Sequence, residues 1–309
     1  MYYPYLRGRQ FELIALREYA LQYGDKNNIT PIIELVKKTF NNIKLAIPKL
    51  KEGNVKFALI LNPKNGELDS SVNILDELEG ELSDTSKWIP AYIVTNNYNE
   101  IISKINDNNL NDVMLICSDM VNTSNSDFEN LLFLKNVKYV VSSENKTLKR
   151  KLKDSGKMKI RLDDNFKPLK RNKDYLELSE NKFSEEHIFF KEDSYDGFSD
   201  YTVLRSDFVD GGGAAYAVSI HLTYQKDNNE VWVQHFTSET NDSIANIQGK
   251  FAEASKKAVY FLDKHNIHNY STDELRKYVS EEKYPGLGMV KKISIKNHLE
   301  LINSILNAE

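Results

Sequence analysis

Several carboxylates in this chain stand directly behind short apolar runs. Glu34 closes Ile29-Thr30-Pro31-Ile32-Ile33, Asp119 closes Met114-Leu115-Ile116-Cys117-Ser118, and Asp163 and Asp164 follow Ile160-Arg161-Leu162. A carboxylate at the end of a strand can ligate a hard cation or act as a general base. Glu34, Asp119 and Asp163 are therefore the candidate ligands for Mg2+ or Mn2+, which take oxygen ligands and usually keep waters. With His221 they are also the candidate catalytic groups. Each acid could instead cap the helix that follows, a role that suits Asp better than Glu.

Arg7-Gly8-Arg9 places two guanidinium groups behind another strand-like segment. Guanidinium forks bind phosphate or carboxylate bidentately, so Arg7 and Arg9, with Asn62 and Asp200 at other segment ends, are candidate contacts to a phosphate-bearing ligand. Ion pairs from either Arg to Glu34 are the competing expectation. His221 and His235 lie on two β-rich runs around Lys226-Asp227-Asn228-Asn229. A two-residue loop leaves the histidines on opposite faces, whereas a three-residue loop sets them across from each other. Neither has a Cys or carboxylate at a zinc-ligand spacing.

The formal charge of -4 conceals an asymmetry. Between positions 146 and 173 there are twelve Lys or Arg against three Asp, a local balance of +9. Lys149, Arg150, Lys153, Lys170 and Arg171 are the candidate surface for a nucleic-acid backbone or an acidic partner protein; a solvated helix face is the plainer reading. Asp210-Gly211-Gly212-Gly213 is neither a Walker loop nor a dinucleotide fingerprint and reads as a linker. The single cysteine, Cys117, sits in an apolar run, which fits a buried thiol in a reducing cytoplasm. Residues 1–5 lack a basic segment followed by an apolar one, so no secretory signal is expected, and no apolar stretch reaches membrane-spanning length.

The elements that must position these groups are eight short apolar segments, at residues 2–6, 30–35, 56–61, 88–94, 112–117, 138–143, 158–162 and 199–204. Helical periodicity fills the intervals. Strands alternating with amphipathic helices require parallel crossovers, and eight of them in 309 residues predict an α/β fold, a (β/α)8 TIM-like barrel. Barrel enzymes place their chemistry at the C-terminal strand ends, where the acids and Arg7 fall. The expected organisation is one barrel domain over 1–309, with a long loop or lid at 165–198, an inserted antiparallel hairpin at 214–238 and C-terminal helices over 249–309. Rim carboxylates of this kind serve ligands more than packing, so Glu34→Gln or Asp119→Asn should remove function with little loss of stability.

Assembled, the chain resembles a bacterial family related to the phage beta-protein family. The likeness is carried by Tyr2-Tyr3-Pro4-Tyr5-Leu6-Arg7-Gly8-Arg9-Gln10-Phe11-Glu12-Leu13, by Thr30-Pro31-Ile32-Ile33-Glu34, by Gly197-Phe198-Ser199-Asp200-Tyr201 and by the hairpin strands around His221 and His235. The resemblance implies a role in phage defence and a companion protein encoded nearby, and it supplies no catalytic residues. Two expectations result. One is a cytoplasmic defence barrel whose acidic and Arg rim binds a phosphate-bearing ligand or nucleic acid, with metal-dependent hydrolysis of a phosphodiesterase or nuclease kind. The other is a non-catalytic module that docks a companion effector.

Overall fold

The computed structural model describes residues 1–69, 71–210 and 215–308. Eight parallel strands follow one another around a single sheet: β1 Tyr5–Leu6, β2 Ile32–Ile33, β3 Phe57–Ile60, β4 Trp88–Val94, β5 Val113–Cys117, β6 Val137–Ser142, β7 Met158–Asp163 and, after one strand that belongs elsewhere, β9 Gly197–Asp200. β3 and β5 are buried at every position, as strands covered on both faces must be. The sheet closes where Tyr2 bridges Phe198: the Tyr3 amide donates to the Phe198 carbonyl at 2.9 Å, and the Tyr2 and Phe198 rings stack at 5.2 Å. The bridge joins the two edges of the sheet, and this nearly closed sheet is the (β/α)8 TIM-like barrel that the alternation predicts.

Between these strands run α1 Gln10–Tyr23, α2 Asn41–Glu52, the short α3 Ile74–Glu77 and α4 Glu79–Leu82, α5 Tyr98–Asp107, α6 Ser126–Leu132 and α7 Lys146–Lys151. The inner faces of α5 and α6 pack on the strands; Tyr98, Ile101, Ile105, Phe128 and Leu131 share one apolar cluster with Tyr92, Val94, Leu115 and Val140. Asn side chains begin three of these helices: Asn73, Asn125 and Asn145 each accept a backbone N–H of the first turn.

The last barrel strand departs from its expected span. It covers Gly197–Asp200 rather than 199–204, because Thr202 adopts a left-handed backbone (φ 55) and the Leu204 amide returns to the Tyr201 carbonyl. Asp200 thereby becomes the strand's final residue. Residues 165–198 hold more than a loop: they contain a 3-10 turn at Asn172–Leu176, strand β8 Glu180–Ser184 and the short helix α8 Glu186–Phe189.

Contacts group the chain into two compact units. The first, Met1–Arg9, Ala20–Asp163 and Ile188–Asp200, carries all eight barrel strands. The second comprises Gln10–Tyr19, Asp164–His187 and Tyr201–Glu309. Its sheet is antiparallel, in the order β10 Ser219–Gln225, β11 Val231–Thr237, β8. Around it stand α9 Ile247–Lys264, α10 Tyr270–Ser280 and α11 Leu287–Ala308, the C-terminal helices read from periodicity. Ile220, Leu222 and Phe236 of the hairpin bury against Phe251, Ala254, Ala258, Leu275 and Ile293 of those helices. The glycine run Gly211-Gly212-Gly213, and Ala214 where the hairpin span was expected to begin, lie outside the described residues.

Candidate functional site

Glu34 lies just past β2 and is completely buried. Its Oε2 accepts the Tyr5 hydroxyl at 2.9 Å and Arg7 Nη1 at 2.8 Å, and its Oε1 accepts the backbone amides of Lys64 and Asn65 at 2.9 and 3.1 Å. The Asn65 side-chain amide reaches both oxygens. A carboxylate offers about four lone-pair directions, and all are taken. The carboxylate expected to act as a general base or metal ligand is thus engaged internally, and it ties the chain before β2 to the loop after β3. Arg7 is committed in the same pair and stacks its guanidinium 5.2 Å from the Tyr5 ring, so the ion pair prevails over the phosphate contact. Arg9 is half-buried at the start of α1.

Asn62 also has an internal task. Its amide donates to the Ile93 carbonyl and its oxygen accepts the Ile93 amide, both at 2.8 Å, so it extends the β3–β4 ladder with a side chain in place of backbone. Asp119 is exposed just past β5, where its carboxylate accepts the Ser143 hydroxyl. Among the described residues, no group of three or more His, Cys, Asp or Glu side chains is arranged to hold a metal ion. Glu34, Asp119 and Asp163, the acids expected to hold Mg2+ or Mn2+, are not brought together in such a group.

The acids that do gather stand at the ends of β6, β7 and β9. Asp163 pairs in register with Asp200 on the neighbouring strand, and Asp200 accepts the Tyr2 hydroxyl at 2.6 Å. Arg161 lies among three carboxylates, with Nε 3.0 Å from Asp163, Nη1 3.4 Å from Asp193 and 3.9 Å from Glu144. Glu144 also accepts the Tyr195 hydroxyl at 2.9 Å, and Lys149 sits 4.8 Å over the Tyr195 ring. Burial raises the Asp163 carboxyl; Arg161 opposes this, the charges of Asp200 and Glu144 add to it, and the result stays above the usual range. Among the described residues, Asp163, Asp193, Asp200 and Glu144 thus stand near Arg161 and Lys149 at this part of the rim. Arg161, Asp193 and Tyr195 escaped the sequence reading because their meeting spans positions 144 to 195; the only local signal was an Arg two residues before Asp163.

The expected basic surface falls on both units. Lys149, Arg150 and Lys153 belong to the barrel unit, and Lys170 and Arg171 to the other. Arg171 is held by Asp174 at 2.9 Å, and Lys151 by Glu129 at 2.7 Å. Arg150 and Lys153 are exposed and form no ion pair among the described residues.

In the second unit, the hairpin turn decides the histidine geometry. Asp227, Asn228 and Asn229 form a three-residue loop in which Lys226 and Glu230 close the ladder and Asn229 takes the left-handed conformation (φ 65). His221 consequently pairs with His235, their Nδ1 atoms 2.7 Å apart. His235 Nε2 lies 2.9 Å from Asn181 Oδ1, and the rings of Phe166 and Tyr175 pack against both imidazoles. Burial lowers both pKa values. Cys117 is buried, and burial pushes its thiol up to about 12.

One polar network was invisible in the sequence. Lys292 and Lys296 of α11 are buried to within 1% exposure and converge on Glu18 at 2.9 and 3.0 Å; Lys292 also meets Glu274, and Glu300 lies 3.8 Å from Lys296. No described helix is long and apolar enough to cross a membrane. No protein-family model and no curated protein matches this chain.

Proposed function

We propose that this chain is a binding module that docks a companion protein, in the phage-defence setting that its sequence resemblance implies, with the barrel as scaffold. The observation that carries this reading is Glu34. A general base or metal ligand needs a lone pair directed at open space, and every lone pair of this carboxylate has an internal donor. Asp163 is held by Arg161 and Asp119 by Ser143. The exposed cations Arg150 and Lys153 give the barrel unit a face for an acidic companion. Nucleic acid is the competing occupant of that face.

The test titrates the purified product of the neighbouring gene, and separately DNA and RNA, against the wild-type chain and the R150Q/K153Q variant over a salt series. Docking predicts that the companion binds the wild type and loses affinity for the variant. Nucleic-acid binding that weakens in the variant, with a log-log salt slope flatter by roughly two units, transfers the face to nucleic acid. No binding of any of the three removes the face as a partner site.

A second reading has Asp163 behind it, a half-buried acid with a raised pKa at the C-terminal end of a barrel strand, where a general acid for hydrolysis would sit. Asp163→Asn distinguishes the two. Loss of phage protection with companion binding intact favours chemistry at the rim, and retention of both favours the docking module.

A further inference from the structure

The second unit contains a cavity of about 520 Å3 between the 3-10 turn Asn172–Leu176, strand β11 and helix α9. That volume falls within the range of small-molecule sites, roughly 300–1,000 Å3. Most polar side chains nearby are already engaged. Lys257 donates to the Thr237 carbonyl at 2.8 Å and pairs with Glu239, so those two charges cancel. Tyr175 has its hydroxyl fixed by the Leu169 amide at 3.0 Å and its ring set against His235, which makes it a rigid wall.

Among the described residues, the Tyr260 ring, the Lys256 ammonium, the Gln234 carboxamide and the small Ser179 hydroxyl on the lining are uncommitted, and the first three are large enough to grip a ligand. Tyr260 is 72% exposed, an unusual state for a large ring beside a cavity. Lys256 stands four residues earlier on α9 and so lies on the same helix face. Gln234 is half-buried on β11.

Each of the three recognises a different part of one ligand. An exposed phenol is a platform for a planar ring, a carboxamide reads a pattern of donors and acceptors at the ring edge, and an ammonium not neutralised by a neighbour takes an anion. Together they define a planar heteroaromatic ring that carries an anionic group. We propose that this cavity binds a free nucleotide, with its base on Tyr260, its base edge read by Gln234 and its phosphate at Lys256. The site lies wholly within the second unit and is independent of the docking reading above.

Isothermal titration of the full chain with the four common nucleoside monophosphates tests this, with adenosine, inorganic phosphate and a ten-nucleotide single strand as controls. At least one mononucleotide should bind with a sub-millimolar Kd. Tyr260→Ala and Lys256→Gln should each weaken it tenfold or more, and Tyr260→Phe should retain it. Both positions are exposed, and an unchanged melting temperature verifies that the variants fold. Absence of binding at millimolar nucleotide, or affinity unchanged in Tyr260→Ala and Lys256→Gln, overturns the site. Inorganic phosphate binding as tightly as the nucleotide removes the ring's part, adenosine binding as tightly removes the anion's part, and tighter binding of the single strand replaces the free nucleotide.

Discussion

His221 and His235 share one hydrogen bond across the β10–β11 pair, Nδ1 to Nδ1 at 2.7 Å. Such a contact requires one donor and one acceptor. Asn181 directs its side-chain amide at the Lys182 carbonyl, so its oxygen accepts from His235 Nε2–H. His235 then presents a lone pair at Nδ1, and His221 donates to it. The pair is neutral, and both rings resist protonation because burial disfavours the charged form; for His221 the neighbouring imidazole adds to this.

The pair makes the second unit acid-sensitive. An unfolded histidine takes a proton near pH 6.5, while these two in the folded state do so only well below it. Their contribution is complete above about pH 6.5 and is lost as pH falls from there toward the folded values, by about 1.4 kcal/mol per pH unit for each proton that only the unfolded chain binds. Urea midpoints between pH 7 and 4.5 should fall more steeply for the wild type than for the His221→Phe/His235→Phe double variant. Parallel curves would show that the pair has no part in the acid response.

Glu34→Gln should be destabilising, contrary to the mild effect anticipated for a rim acid. The amide cannot accept from all the donors that surround the carboxylate, and Arg7 loses the charge it pairs with at 2.8 Å. Breaking a buried pair of this kind costs about 3–5 kcal/mol. Thermal and denaturant unfolding of the variant measure it, and a melting temperature equal to wild type would return Glu34 to the list of ligand-binding groups.

Glu18→Gln should be costly for a related reason. It leaves Lys292 and Lys296 buried with less counter-charge, a loss of about 3–5 kcal/mol, whereas Glu100→Gln in the exposed Lys104–Glu100 pair should cost less than about 1 kcal/mol. Burial alone would raise the Glu18 carboxyl; hydrogen bonds and charges from Lys292 and Lys296 overcome this and hold it below the usual range. Its stabilisation is therefore present above the unfolded value of about 4.3 and lost as pH falls through the folded one. Equal losses in the two variants would contradict the burial argument.

Gly197→Ala tests barrel closure. A methyl group there would sit 2.7 Å from the Tyr3 ring and 2.9 Å from the Met1 carbonyl, at the seam where Phe198 meets Tyr2. Relief requires the seam to open, at about 1–3 kcal/mol. Hydrogen exchange of the Tyr3 and Phe198 amides, which bond across the seam, should accelerate in the variant; unchanged protection there would mean the ring simply moves aside.

The barrel was legible in the chain because its signal is local: a short apolar run followed by helical periodicity, repeated eight times, is written within each window of residues. The same locality placed Glu34, Asp119 and Asp163 at strand ends. What those acids do was decided elsewhere. The donors to Glu34 come from positions 5, 7, 64 and 65, and the acids around Arg161 from 144, 163 and 193, partners that only the closed barrel assembles. The hairpin was equally plain, but its register hung on whether the loop held two residues or three, and a slip of one reverses every side chain. Asn229 in the left-handed conformation settled that count and brought His221 onto His235. Residue type and strand position are properties of the chain, whereas the partner that satisfies a buried charge or imidazole must come from whatever the fold sets within about 3 Å of it.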